Sequence, residues 1–461
     1  MDQSSPHEGT FLRDLGDGLI LRRATVADTE ALVAFNARIH GSPDGQAPDH
    51  AVGVWTRDLM TQGEGRVPHP TFDVGDFTIV EDSATGEVVS SLNLISQTWS
   101  YAGIRFGVGR PELVGTAAAY RNRGLVRAQF EVIHEWSAER GEMVQGITGI
   151  PYYYRLFGYE MALGLGGVRS GFEQHVPKLK PGQSEPYPLR PATEADLPFM
   201  AHLYEQAAAR HMVTCVRDEA LWRYELLGCS PESITSRQLR IIESPEGEPV
   251  GFFAHPAQLW GKGIAAVQYE LKSDISWLAV TPSVIRYLWR TGEQYTARDA
   301  ARKGAQNNQK LSTFRFSFGT EHPIYQAAHN RLPHTTPPYA WFIRVPDLPR
   351  FLRHITPVLE ERLANSIAVG HTGELNISFY RSGLRFTFQN GQLSIEPWQP
   401  PHTQKVDAAF PDLTFLQLLF GYRSLDQLKL AFPDCWTKGD APPLLLNTLF
   451  PKKLSNPWPI S

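Results

Sequence analysis

Leu113-Val-Gly-Thr-Ala-Ala-Ala-Tyr-Arg121-Asn-Arg-Gly124 runs straight on into Leu125-Val126-Arg127-Ala128-Gln129-Phe130. A short apolar strand ends in small residues, turns through Arg-x-x-Gly and opens into a helix. That order leaves the first N–H groups of the helix, from Asn122 to Arg127, without intrahelical partners, and an anion can sit against them. Gly124 lets the backbone approach a phosphate closely. Arg121, Arg123 and Arg127 add guanidinium groups that suit phosphate oxygens. The stretch holds neither a GxGxxG nor a GxxxxGK[ST] loop, so it does not read as a dinucleotide fold or a P-loop nucleotide hydrolase.

The rest of the chain sets the bounds. At 461 residues it is long enough for about three domains. With 42% hydrophobic and 20% charged residues it reads as folded rather than disordered. A net charge of −4 leaves no basic excess for nucleic acid. Cys215, Cys229 and Cys435 are odd in number and far apart, so they make neither a disulfide framework nor a CxxC metal knuckle. No run of about 18 apolar residues and no basic-then-apolar leader is present, and the expected location is the cytoplasm.

An internal repeat carries the domain reading. Leu21-Arg-Arg-Ala-Thr25-Val-Ala-Asp28 recurs as Leu189-Arg-Pro-Ala-Thr193-Glu-Ala-Asp196. Each copy reads as strand, Thr cap and amphipathic helix, Thr29–Ile39 and Leu197–Ala209. Trp55-Thr-Arg-Asp58-Leu59 is echoed by Trp222-Arg-Tyr-Glu225-Leu226. A hairpin follows in both, turning at Gly86 and at Gly247. Two strands are expected within 105–116, a helix over Leu125–Arg140, a strand over Met143–Ile150 and a helix opening at Tyr152–Phe157. In the second copy Ile275–Val280 reads as the matching strand, but the Arg-x-x-Gly turn is missing, so that copy is expected to be catalytically silent. Beyond Arg344 the pattern predicts a helix over Asp347–Asn365, a three-strand meander over Glu374–Pro397 and two Leu/Phe-rich helices, Phe415–Gly421 and Ser424–Phe432. The predicted domains are 1–178, 187–345 and 346–461.

Here the residues resemble a family. Arg121-Asn-Arg-Gly124-Leu-Val126 is similar to the [Gln/Arg]-x-x-Gly-x-[Gly/Ala] loop of the GNAT acyl-CoA-dependent N-acetyltransferases, with Val126 in place of the small last residue. Tyr154-Arg-Leu-Phe-Gly158-Tyr159 resembles their second signature. Two such copies followed by a sterol-carrier-like domain look like the Eis (enhanced intracellular survival) acetyltransferases. The resemblance implies an α/β, mixed-sheet fold of tandem GNAT domains followed by a small α+β sterol-carrier-protein-like domain.

It also implies a chemistry. Acetyl-CoA would be the co-substrate, with no metal, and its pyrophosphate would lie on Arg121, Asn122, Arg123, Gly124, Leu125, Val126 and Arg127. Val114, Gly115 and Thr116 would offer backbone groups on a strand that splays from its neighbour, holding the pantetheine arm and polarising the thioester. Tyr154, four residues before Gly158, would protonate the leaving thiolate: a phenol near ~10 is still protonated at neutral pH. No carboxylate or histidine in the first copy stands out as the base, and the resemblance to the Eis enzymes implies that the carboxylate of Ser461 would take the ammonium proton. The acceptor would be a small-molecule amine (aminoglycoside, polyamine or lysine amine) and the assembly a homo-oligomer, up to a hexamer. The competing class is a non-catalytic acyl-CoA or lipid carrier. His40, His134 and His175 are scattered without metal-ligand spacing and read as packing residues. The aromatic run Phe415–Phe420 reads as core.

Overall fold

In the computed structural model, which describes residues 10–42, 47–61, 65–303, 310–399 and 406–459, the alternation of the first hairpin sorts its side chains onto two helical layers. Strands β1 (Phe11–Asp14), β2 (Leu19–Arg23), β3 (Phe77–Asp82), β4 (Glu87–Tyr101) and β5 (Ile104–Thr116) pair antiparallel in that order. Ile79, Val88 and Ile95 pack with Leu32 and Phe35 of α1 (Thr29–Ile39) and Val52 and Trp55 of α2 (His50–Met60). Val80, Val89 and Leu94 point the other way, onto Phe130, Ile133 and Trp136 of α3 (Leu125–Glu139). Successive strand residues face opposite sides, so a helical layer covers each face. The two strands predicted within 105–116 are one continuous strand, because β4 is long enough to pair with all of it.

The first unit continues through β6 (Val144–Thr148), β7 (Glu160–Leu165) and β8 (Val168–Gly171). A second unit follows: β9 (Leu189–Pro191), α4 (Leu197–Ala208), β10 (Val213–Cys215), α5 (Glu219–Leu227), β11 (Arg237–Glu243), β12 (Pro249–Pro256), β13 (Gly263–Ala266), β14 (Gln268–Leu271), α6 (Trp277–Lys303), β15 (Thr313–Ser317), α7 (Pro323–Ala327), β16 (His334–Thr336) and β17 (Tyr339–Arg344). The residues predicted as its matching strand, Ile275–Val280, instead start α6: the Ala279 and Val280 amides bond the Ser276 carbonyl. A short, mostly apolar run fits a buried helix start as well as a strand, and Gly263–Leu271 already fills the strand position.

The two units exchange strands. In the first sheet β17, from the end of the second unit, lies between β6 and β7. The strands of the second unit form two four-stranded sheets, β14-β12-β11-β9 and β13-β15-β8-β16, and in the latter β8, from the end of the first unit, lies between β15 and β16. An ion cluster also repeats, buried in the first unit and more open in the second. Arg22 holds Asp28 and Glu81, and Arg190 holds Asp196 and Glu243. The Arg22 side chain is 8% exposed and that of Arg190 35%. Arg22→Ala would strand two partly buried carboxylates beside each other, and we expect a stability loss of about 2 kcal/mol, below the range for fully buried pairs because some water reaches them. Arg190→Ala should lose under about 1 kcal/mol. Urea midpoints of the two variants check this, and equal midpoints would contradict it.

The third segment opens with two helices rather than the predicted single one, α8 (Leu348–His354) and α9 (Thr356–Ala364). Pro357 sits in the first turn of α9, where its missing N–H is tolerated, and it cannot continue α8. The meander appears as β18 (Gly373–Ser378), β19 (Gly383–Gln389) and β20 (Gln392–Trp398), extended by β21 (Ala408–Ala409) and β22 (Trp436–Thr437). Helices α10 (Phe415–Leu419), α11 (Leu425–Ala431) and α12 (Ala441–Leu449) complete it. Its core is continuous with the first sheet, since Tyr101 and Phe106 of the first unit pack on Phe351, and Tyr101 also meets Phe420. The chain then returns to the first sheet. Gln97 of β4 donates to the carbonyl of Pro459 at 3.3 Å, and Tyr204 donates to that of Trp458 at 2.8 Å.

Candidate active site

Asn122 and Gly124 both take left-handed backbone angles, φ +64° and +79°, and this pair of reversals brings the chain from β5 into α3. Open space surrounds Gly124, so glycine is required there by conformation rather than by crowding. As the N-cap it contributes no side chain to the helix, so the first amides of α3 face the cleft without a protein cap. Arg127 stacks on Phe157, 5.3 Å from its ring centre. Arg123 turns away onto Tyr120, whose hydroxyl donates to Asp82 at 2.6 Å.

β5 bends just before this loop. Its register against β4 shifts between Ser91 and Asn93, and Leu113 takes φ +52°, a bulge that places Leu113 and Val114 opposite Leu92. On its other edge β5 pairs with β6 only at Val108–Val144 and Gly109–Gln145, after which the two strands part. The edge of β5 that carries Val114, Gly115 and Thr116 therefore faces a gap. Gly115 is glycine for another reason: a Cβ there would come 2.5 Å from Ile39 Cγ2.

The gap opens into a cleft of about 870 Å³. Val114, Gly115, Thr116, Arg121, Asn122, Gly124, Leu125, Val126, Arg127 and Tyr154 all line it, and Arg123 does not. Of the three adjacent tyrosines, Tyr153 and Tyr154 line the cleft, whereas Tyr152 is 68% exposed. Tyr154 packs on Phe130 and Phe342, and none of the described residues bonds its hydroxyl. Phe342 comes from the exchanged strand β17. Burial pushes the Tyr154 phenol well above its ordinary range, reinforced by the charge of Glu112. The tyrosine segment is a 3-10 turn, Tyr153–Phe157, rather than an α-helix. It is pinned by Arg155 to Glu160 at 2.5 Å, and Gln417 of α10 bonds Glu160 at 3.2 Å. Ser461 lies outside the described residues.

Three further residues in the cleft wall were not singled out as site residues from the sequence. Glu112, just before the bulge, is ion-paired with fully buried Arg110. Burial raises its carboxyl to about 7 against the pull of Arg110. His40 and Trp55 each carry a buried ring nitrogen, Nε2 and Nε1, without a partner among the described residues. Burial lowers the His40 imidazole, so it is neutral at pH 7. In the second unit, at the start of α6, the Trp277 ring packs 4.7 Å from Tyr269 and 5.2 Å from His322.

Residues 22–162 match the family model of the acetyltransferase (GNAT) domain. That span contains the loop, the bulge, Glu112 and Tyr154. Three solved structures are similar over nearly their whole lengths. A GCN5-related N-acetyltransferase from Anabaena variabilis is 14% identical with a TM-score of 0.59, covering 95% of this chain and 99% of that one. One from Kribbella flavida is 18% identical with a TM-score of 0.57, covering 95% and 97%. Eis1 from Mycobacterium abscessus is 14% identical with a TM-score of 0.55, covering 94% and 98%. At such identities the likeness speaks for the fold, and it extends well beyond the GNAT domain itself. No curated protein matches by sequence. The match of residues 22–162 to the acetyltransferase (GNAT) domain supports an acyltransferase. Among the described residues there is no cluster of His, Cys, Asp and Glu that could hold a metal, and no helix is long and apolar enough to cross a membrane.

Proposed function

We propose that the GNAT domain transfers an acetyl group from acetyl-CoA to a primary amine by direct attack. The observation that carries this reading is the meeting, in one cleft, of an uncapped helix N-terminus, an open strand edge and a buried tyrosine. The fit to CoA is chemical. The α3 amides with Arg121 and Arg127 suit a pyrophosphate, and the open edge of β5 suits an amide-bearing arm. The thioester bond of the bound donor supplies the acyl group. Tyr154 donates its proton to the departing sulfur, and donors along β5 polarise the carbonyl.

Two carboxylates are candidates to receive the ammonium proton. One is Glu112 in the cleft wall. The other is that of Ser461, which lies outside the described residues. An acyl-enzyme is not invoked, since Cys215 and Cys435 are buried and no cysteine lines the cleft among the described residues. The second unit is read as a scaffold that lends β17 to the site.

Titration calorimetry with CoA and thiol-release kinetics with an amine panel test the proposal. Wild type should bind CoA and release thiol only when an amine is present. Arg127→Ala should weaken CoA binding about tenfold, as expected for one charge-assisted phosphate contact. No heat with CoA, or no thiol release with any amine, would overturn the reading. Binding of an apolar ligand in the third segment is a second reading, favoured by a cavity of about 940 Å³ there, walled by Phe379, Leu384, Phe415 and Leu416. CoA binding without turnover, together with retention of a fatty acid, would support it.

A further inference from the structure

Two parts of the cavity wall in the third segment continue into the support of Tyr154. The first is the end of β17. Val345 and Pro346 line the cavity, and three residues before Val345 stands Phe342, whose ring packs 5.5 Å from that of Tyr154. The second is α10. Phe415 and Leu416 line the cavity, and the next residue, Gln417, donates from Nε2 to Glu160 Oε1 at 3.2 Å. The same carboxylate oxygen accepts from Arg155 Nη2 at 2.5 Å and from the Met161 amide at 2.9 Å. Arg155 follows Tyr154 directly in the tyrosine turn.

The wall sets the class of ligand. Phe379, Leu384, Phe415 and Leu416 present apolar side chains, and Pro349 and Pro411 offer no N–H. At about 940 Å³ the cavity lies within the roughly 300–1,000 Å³ usual for small-molecule sites. An apolar molecule that enters it takes these walls out of water. The short length of α10 makes this matter elsewhere. A helix of five residues is held by what its sides rest on more than by its own hydrogen bonds. One side of α10 packs on β7, and the other faces the cavity. A ligand touching Phe415 and Leu416 favours the arrangement in which α10 is seated, and with it the hold of Gln417 on Glu160. That differential contact is what lets a ligand shift an equilibrium.

We propose that the third-segment cavity is a regulatory site for an apolar chain-like molecule, which seats α10 and the end of β17 and thereby raises the rate at Tyr154. This rests on the reading of the cleft as an acetyl-transfer site, and it differs from the carrier reading because turnover responds to the ligand. The test uses the full chain with dodecanoate and 1-dodecanol, which share a chain and differ in the charge of the head. Calorimetry without CoA reads binding, and thiol release at saturating acetyl-CoA with an accepted amine reads kcat. At least one of the two probes should bind and raise kcat about fivefold, the low end for coupled sites, with CoA affinity within twofold. Gln417→Met keeps the side-chain size and removes the Nε2 donor. It should bind the probe within twofold of wild type, which also shows it folded, while the rise in kcat drops below twofold. Leu413→Trp narrows the cavity and should weaken the probe about tenfold, so that the response at a fixed probe concentration fades with it. No binding of either probe, a kcat unchanged or lowered by a bound probe, or an undiminished response in Gln417→Met would overturn the inference while acetyl transfer stands. No thiol release with any amine, with or without probe, would remove the acetyl-transfer reading and this inference with it.

Discussion

Tyr154→Phe should lower kcat by about two to three orders of magnitude and leave CoA affinity within twofold. Loss of a positioned general acid is worth roughly 10²–10⁴-fold, and phenylalanine keeps the ring contacts with Phe130 and Phe342. The pH dependence separates this role from a packing role. Burial holds the phenol above its ordinary range, so it stays protonated at every pH where the enzyme works. The alkaline side of the pH–rate profile should therefore not bend on account of Tyr154 in wild type. Gly149→Ala is a second check, because a Cβ there would run into the Tyr154 ring, and it should lower kcat while the tyrosine remains. Thiol-release rates, CoA calorimetry and melting temperatures together read the result. A phenylalanine variant within threefold of wild-type kcat would exclude the general-acid role.

Glu112→Gln should remove the acid limb of kcat/KM and lower the plateau at pH 8 by about a hundredfold. The sign follows from the shift. A carboxyl raised to about 7 is protonated below that pH and cannot accept a proton, so wild-type kcat/KM should fall about tenfold per pH unit on the acid side of 7. The raised value also acts on stability. The folded state holds this proton more tightly than the unfolded chain, a contribution that is full below about 4.5 and lost as pH rises through about 7. Glutamine cannot titrate, so that slope should flatten. Truncation before Ile460 provides the contrast. If the Ser461 carboxylate is the base, truncation slows transfer more than it weakens CoA binding and Glu112→Gln keeps its acid limb. An acid limb that survives in Glu112→Gln excludes Glu112 as its source.

Local signals were legible because they are written in consecutive residues. The Arg121–Gly124 turn needs a helix after it, and α3 begins at Leu125. The alternation around Gly86 and Gly247 specifies hairpins, and both are present. The repeated Arg-x-x-Thr-x-x-Asp pattern builds the same ion cluster twice. Where the reading slipped, local and global preferences diverged. Ile275–Val280 suits a strand, but Gly263–Leu271 had already filled that place, so the segment became the start of α6. Asp347–Asn365 has one helical stripe, but Pro357 divides it.

Glu112 shows why part of the site stayed hidden. A lone Glu in Arg-Pro-Glu-Leu carries no signature, and its significance comes from burial beside Arg110 in the cleft wall. The sequence by itself determined the local elements, the repeat and the Arg-x-x-Gly cradle, because each depends on contacts between residues near in the chain. Tertiary structure alone decided that β17 and β8 change places between the units, that Phe342 and Gln417 brace the tyrosine turn, and that Ile234 of the second unit lines the cleft. Those arrangements join residues some hundred or more positions apart, and no local periodicity encodes which distant surfaces bury each other best.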